Sequence, residues 1–119
     1  MAKCIIQIPG SIEEFTQYFK SAILDAKAFT AIKHQFRTRV NDVICHVQIF
    51  EGYTFMGGNW LSMNVTVLEH NGVLKVAIMT SGGSNGLFLK NWSLGVEAEE
   101  KMLKTAETII REYKPIQLT

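Results

Sequence analysis

The sequence predicts an α+β two-layer sandwich, in which an antiparallel sheet of five to six strands carries two helices on one face. Three observations predict this class. The pair Asn71-Gly72 lies between two alternating apolar and polar runs, which is the strongest short-range signal for a β-hairpin. A second pair, Asn41-Asp42, lies between two similar runs. Apolar residues with helical spacing precede and follow this block, so one helix is expected on either side of it in the chain.

The first elements are a strand and a helix. Residues 3–8 alternate as in a strand, and Pro9-Gly10 ends it. Ser11 and Glu14 have the spacing of a capping box, in which each side chain accepts a hydrogen bond from the other residue's backbone N–H. A helix to about residue 26 is therefore expected. Its buried stripe would consist of Ile12, Phe15, Phe19, Ala22, Ile23 and Ala26.

The turn at Asn71-Gly72 fixes the register of the second hairpin. The opposed pairs are His70 with Val73, Val67 with Val76, Val65 with Ile78, and Met63 with Thr80. Directly opposed residues share a face, and this face is almost wholly apolar, so it is expected to be buried. The other face carries Leu68 with Lys75, Thr66 with Ala77, and Asn64 with Met79.

The same reasoning at Asn41-Asp42 pairs Val40 with Val43, Thr38 with Cys45, Phe36 with Val47, and His34 with Ile49. Because this set is mainly apolar, we expect it, including His34, to face the helices. The solvated face would carry Lys33, Gln35, Arg37, Arg39, His46 and Gln48. One buried and one wet face is typical of an antiparallel sheet.

The last elements are a short strand at residues 87–90 and a helix from about residue 93 to 113. The helix would bury Met102, Leu103, Ala106, Ile109, Ile110 and Tyr113. Glu97, Glu99 and Glu100 near its start and Arg111 near its end suit the helix dipole. The expected order is β-α-β-β-β-β-β-α, a helix-grip or TATA-binding-protein-like topology, in a single domain over residues 1–119.

Composition restricts the classes of function. The chain has 119 residues, 47% of them hydrophobic, and a formal charge of +1, so we expect neither nucleic-acid nor membrane binding. The first residues lack the apolar stretch of a signal peptide, so a cytoplasmic protein is expected. Cys4 and Cys45 lie in apolar alternating runs, which favours two buried thiols over the alternative, a disulfide between neighbouring strands.

The candidate site is the sheet end where two glycine-rich segments meet. Gly57-Gly58 and the segment 80–86 both connect there in the predicted register. Candidate ligand contacts are His34, Tyr53, Phe55, Trp60, Met63, Thr80, Gly82, Gly83, Ser84 and Asn85. The alternative is that the glycines serve only tight or bulged connections and that His34 is a hydrogen-bonded core residue.

Several chemistries are disfavoured. The glycine segment lacks the Gly-Lys-Ser/Thr of a P-loop and the context of a dinucleotide fingerprint. The three histidines share no metal-ligand spacing, and Cys45 and His46 would point to opposite faces of a strand. We therefore expect no metal, no cofactor and no catalytic residue.

The segments 50–53, 60–67, 80–84 and 90–97 resemble a family of short bacterial proteins, mainly from Gram-positive organisms, with a Gly-Gly-Ser loop and no known function. This chain departs from the family pattern at Glu51-Gly52-Tyr53, where the family has glutamate, arginine and an aromatic residue. It departs again at Val96, which separates Gly95 from Glu97. Since the family has no assigned activity, the resemblance implies no catalytic residues.

Three functions are compatible with these patterns. The first is a non-enzymatic binding module that takes a small or apolar ligand at the glycine-rich end. The second is a structural or interaction module that forms a homodimer through an edge strand or the mixed sheet face near Ile44, Leu68 and Met79. The third is an enzyme that uses His34 as a general base, with backbone N–H groups of the glycine segment as oxyanion donors.

Overall fold

The structure is a computed structural model that describes residues 2–27, 29, 31–54, 59–82 and 89–115. Its elements are β1 (Ala2–Pro9), α1 (Ile12–Asp25), β2 (Ala31–Val40), β3 (Val43–Thr54), β4 (Asn59–His70), β5 (Val73–Gly82) and α2 (Leu89–Arg111). The strands form one antiparallel sheet in the order β1-β5-β4-β3-β2. The predicted α+β class is confirmed, with five strands in the described part of the chain.

Both predicted hairpin registers are correct. Asn71 and Gly72 have φ values of +50° and +76°, as a type I′ turn requires, and His70 pairs with Val73. Asn41 also has a positive φ, of +53°, and Val40 pairs with Val43. The short turns therefore determine which residues lie opposite each other within each hairpin.

The predicted faces of the first hairpin are wrong. The core residues Met63, Val65 and Val67 of β4 lie directly opposite Phe50, Gln48 and His46 of β3, and opposed residues share a face. The helices therefore cover the side of β3 that was expected to be solvated. Gln48 is 1% exposed, whereas Phe36, on the supposedly buried set, is 58% exposed.

Helix α1 begins where predicted, but its cap differs from the expectation. Ser11 occupies the N-cap position and its side chain makes no capping hydrogen bond. The backbone N–H of Ile12 instead donates to Oε1 of Glu69, at 2.9 Å. A carboxylate from β4 therefore replaces the capping box, and its charge lies at the positive end of the helix dipole.

Helix α2 begins earlier than predicted. Leu89 and Lys90, expected in a strand, form its first residues, and the remainder of that predicted strand lies outside the described residues. A short apolar run does not by itself distinguish a strand from a buried helix segment. Among the described residues, the element that follows β5 is thus a helix, and Glu99 lies within this helix instead of in its first turn.

Both helices lie on one face of the sheet, which we call the inner face; the opposite side is the outer face. Helix α2 packs on β1 and β5, and α1 packs on β3 and β4. The core contains an aromatic cluster in which the ring centroids of Phe19 and Phe50 are 5.8 Å apart. Most residues of β2 are exposed, so the inner face passes from a dry core at β4 to a polar margin at β2.

Candidate functional site

A polar cleft lies at this margin, between α1 and the inner face of β2 and β3. We call it the α1–β3 cleft. It has a volume of about 200 Å³ and is lined by Thr16, Gln17, Lys20, Gln35, Arg37, His46 and Gln48. The register explains four of these residues, because Gln35 and Arg37 lie opposite Gln48 and His46. Thr16 and Lys20 are one turn apart on α1 and so lie on the same side of that helix.

A chain of hydrogen bonds orients Arg37 and His46. Nε of Arg37 donates to Nδ1 of His46 at 3.0 Å, and Nη2 of Arg37 lies 3.5 Å from Oγ1 of Thr16. Since the guanidinium is always protonated, Nδ1 of His46 is an acceptor. The ring proton is therefore assigned to Nε2, which lies 3.3 Å from Oε1 of Gln35 and donates to it.

His46 is held in its neutral form. Burial is the main cause that lowers its pKa, and the positive charge of Arg37 lowers it further. A neutral imidazole with both nitrogens engaged in the cleft acts as a fixed support for the guanidinium. We therefore assign His46 a positioning role rather than a catalytic one.

Gln48 carries the most informative polar atom of the cleft. Its Nε2 donates to the backbone carbonyl oxygen of Thr16 at 3.2 Å, which fixes the orientation of the amide. Its Oε1 is buried and finds no hydrogen-bond donor among the described residues. Leaving a buried acceptor unpaired costs about 1–3 kcal/mol, so a hydrogen-bond donor that reached this atom would relieve that cost.

The cleft is also positively charged. Lys20 and Arg37 both line it, and within the described residues neither forms an ion pair with a carboxylate. Two cations that share a small cleft repel each other, and an anion between them removes that repulsion. No group of three or more metal-ligating side chains occurs in the described part of the chain.

The described residues among those predicted for the glycine-rich end lie on two different faces of the sheet. Met63, Thr80 and Gly82 lie on the inner face, where Met63 and Thr80 are buried. His34 is exposed and lies opposite Ile49 on the outer face, so its predicted inward orientation is wrong. Tyr53 and Trp60 also lie on the outer face, with ring centroids 5.3 Å apart. The predicted contacts Phe55, Gly83, Ser84 and Asn85 lie outside the described residues.

Gly82 has a packing role that favours the structural interpretation of this glycine. A Cβ placed there would lie 2.7 Å from Oε1 of Glu99 and 3.2 Å from Cδ2 of Leu61. Glu99 is itself buried on α2. Glycine thus allows α2 to approach the end of β5 closely.

Sequence reasoning missed the α1–β3 cleft because it assigned Gln48 and His46 to solvent. The pairing of β3 with β4 reveals the cleft, because it decides which residues of β3 face the helices. Thr54 and Asn59 pair across an even number of intervening residues, which places the even-numbered residues of β3 on the same face as the apolar odd-numbered residues of β4.

The element order, the five-stranded sheet and the two helices on one face define an α+β domain of helix-grip topology with a polar cleft at one margin of its core. The chain belongs to DUF6054, a family of unknown function, whose model matches residues 1–114. This match confirms the resemblance to a family of unknown function. No curated protein matches the sequence.

Among solved structures, the crystal structure of human STARD10 is similar, with 13% sequence identity and a TM-score of 0.34. The match covers 92% of this chain and 63% of that chain, so this chain spans less than two thirds of the length of STARD10 in that structure. A likeness at this score carries no functional argument. Within the described residues, no helix has the length and apolar character needed to cross a membrane.

Proposed function

We propose that this protein is a non-enzymatic binding module for small anions that also carry an O–H or N–H donor, and that the α1–β3 cleft is its binding site. The observation that carries the proposal is the buried Oε1 of Gln48, which has no hydrogen-bond donor among the described residues; Gln48 lines the same cleft as Lys20 and Arg37. The class of function agrees with the sequence prediction of a small-ligand module. The proposed position differs from the predicted glycine-rich end.

The positive charges of the cleft indicate that the ligand is an anion. A guanidinium has five N–H donors in a planar fork that matches a carboxylate or phosphate oxygen pair. Nε of Arg37 is used by His46, and Nη2 is directed to Thr16, which leaves the other N–H groups for a ligand. Lys20 adds a second cation on the helix side of the cleft.

Gln48 indicates that the ligand also carries a hydrogen-bond donor. An amide oxygen accepts hydrogen bonds and repels a fully deprotonated oxyanion, so it selects a ligand that presents a proton. Hydrogen phosphate and hydroxy- or amino-substituted carboxylates combine a negative charge with such a donor. The volume of about 200 Å³ is below the usual range for drug-sized ligands, which indicates a molecule of few heavy atoms.

The alternative of an enzyme that uses His34 as a general base is disfavoured. It required His34 to lie beside the glycine-rich segment, but His34 lies on the outer face while Thr80 and Gly82 are on the inner face. His46 does not replace it as a base, since Nδ1 already accepts from Arg37. That the glycine-rich end of the sheet contacts a ligand remains a prediction, because four of its candidate residues lie outside the described residues.

The proposal is tested by titrating the protein with inorganic phosphate and following backbone amide chemical shifts. Arg37→Gln should weaken phosphate binding about tenfold, because a hydrogen bond to a charged group contributes about 1.5–3 kcal/mol. Arg39→Gln is the matched control: it removes the same charge from the same strand, and Arg39 does not line the cleft.

Binding in Arg39→Gln should equal that of the wild type. Equal weakening in both variants would mean that phosphate senses only the overall charge and would contradict the proposal. Absence of shifts at Thr16, Lys20 and Gln48 in the wild type would contradict it as well.

A further inference from the structure

The outer face of the sheet carries a cluster of exposed hydrophobic side chains. Among the described residues, eight large hydrophobic ones on it are more than a third exposed: Ile5, Phe36, Val40, Tyr53, Trp60, Leu68, Val73 and Met79. The strands are 8 to 12 residues long. At about 4.8 Å between strands and about 3.3 Å per residue, five of them present a face of roughly 800 Å². This is the area of the whole face, which also carries polar residues such as Lys3, Asn64 and Lys75. A cluster of exposed hydrophobic residues on one face is typical of an interaction surface.

We propose that this outer face binds the outer face of a second copy of the chain, so that two sheets pack face to face about a two-fold axis parallel to the strands. The first support is area. A standard-size interface takes roughly 800 Å² from each partner, which is the size of this face. An isologous contact of this kind is closed and produces a dimer, not a fibre.

Shape supports a second copy as the occupant. A row across the middle of the face runs Ile5, Ala77, Thr66, Val47 and Phe36, with smaller residues in its centre and larger ones at its ends. This arrangement suits two twisted sheets, which pack at an angle of about 30° and diverge toward their corners. Two polar residues at the centre bond to each other, since Oγ1 of Thr66 donates to Oδ1 of Asn64 at 2.8 Å.

The face also carries a protrusion and a groove that match. Val40, 69% exposed, lies on β2 at the turn end of the sheet. A groove of about 530 Å³ lies at the same end and extends from β1 across β5 and β4 to β3, lined among others by Gln7, Val43, Leu68 and Val73. An axis parallel to the strands places β2 of one copy over β1 and β5 of the other. Val40 of each copy then faces the groove of its partner.

Charge supports the same axis. Lys3 and Lys75 lie on the β1–β5 side of the outer face, while Glu51 lies on the β3 side, where it pairs with Lys33 at 3.9 Å. The strand-parallel axis brings the lysine-bearing side of each copy over the side that carries Glu51. An axis perpendicular to the strands would place lysines over lysines.

The test is sedimentation velocity of the full chain from about 1 to about 100 μM, a range that covers interfaces of this size. The wild type should sediment as a dimer at the upper concentrations. Val40→Glu and Met79→Glu should each sediment as monomers with unchanged circular dichroism, because both side chains are exposed in the single chain. Lys104→Glu, on an exposed position of α2, is the control and should remain dimeric.

A wild type that stays monomeric at about 100 μM would overturn the proposal. A dimer that persists in both Val40→Glu and Met79→Glu would also overturn it and would point to pairing through the β2 edge. Neither result bears on the α1–β3 cleft, because the cleft lies on the opposite face of the sheet.

Discussion

Arg37 and His46 face each other across the β2–β3 ladder, and Nε of Arg37 donates to Nδ1 of His46 at 3.0 Å. This bond fixes the tautomer of the imidazole and directs the guanidinium along the α1–β3 cleft. It also makes His46 sensitive to pH, because protonation of Nδ1 would place two positive charges in direct contact.

His46 should make the protein less stable in mild acid. Its pKa is lowered in the folded state, so below about pH 6.5 the unfolded chain binds a proton that the folded chain does not. The free energy of unfolding should therefore decrease as pH falls through this range and should be insensitive to His46 above it. The measurement is urea unfolding of the wild type and His46→Asn at a series of pH values.

The asparagine variant should lose part of the acid-dependent decrease. His70→Asn is the control, because His70 is exposed and pairs with Asp42 far from the cleft. Identical pH slopes in the wild type and His46→Asn would show that the imidazole is not held neutral by the fold.

Glu69, not Ser11, should carry the capping energy of α1. Its carboxylate accepts the Ile12 N–H, while the Ser11 side chain makes no capping bond. Glu69→Ala should lower the free energy of unfolding by about 1 kcal/mol, the usual cost of a lost N-cap. Ser11→Ala should change it by less than about 0.5 kcal/mol. Thermal or urea unfolding of both variants measures this, and the reverse order would refute the assignment.

The two thiols should differ in reactivity. Burial, followed by the charge and hydrogen bond of Glu107, raises the pKa of Cys4 from 9.0 to about 11. At about pH 8 its thiolate is then about 100-fold less populated than that of an unperturbed cysteine. Reaction with a disulfide reagent should show a slow phase that is lost in Cys4→Ala and retained in Cys45→Ala. A slow phase that survives in Cys4→Ala would contradict this.

The sequence was sufficient for the parts of the fold that depend on local chemistry. Asn71-Gly72 and Asn41-Asp42 prescribe tight turns, and from them the pairing within each hairpin follows. The stripe that contains Ala106 and Ile110 predicts the buried side of α2 in the same way, since helical spacing alone determines it.

The candidate site depends on relations between hairpins, which local patterns do not contain. In β3 both alternating sets contain apolar residues, Val47 and Ile49 on one side and Ile44 and Phe50 on the other, so hydropathy favoured the wrong side. Only pairing with β4 shows that Gln48 and His46 face α1. The hydrogen bond from the Ile12 N–H to Glu69, which takes the place of the predicted capping box, is likewise a long-range contact.

The selectivity between phosphate and sulfate at about pH 7.5 tests the central claim most directly. The two anions have similar shape and charge, but only hydrogen phosphate has an O–H that can donate to Oε1 of Gln48. We predict that the wild type binds phosphate about five- to tenfold more tightly than sulfate. Gln48→Met, which removes the acceptor together with the Nε2 donor to Thr16 at similar volume, should bind both equally. Equal affinity in the wild type, or a preference that persists in Gln48→Met, would contradict the assignment of the cleft as the binding site.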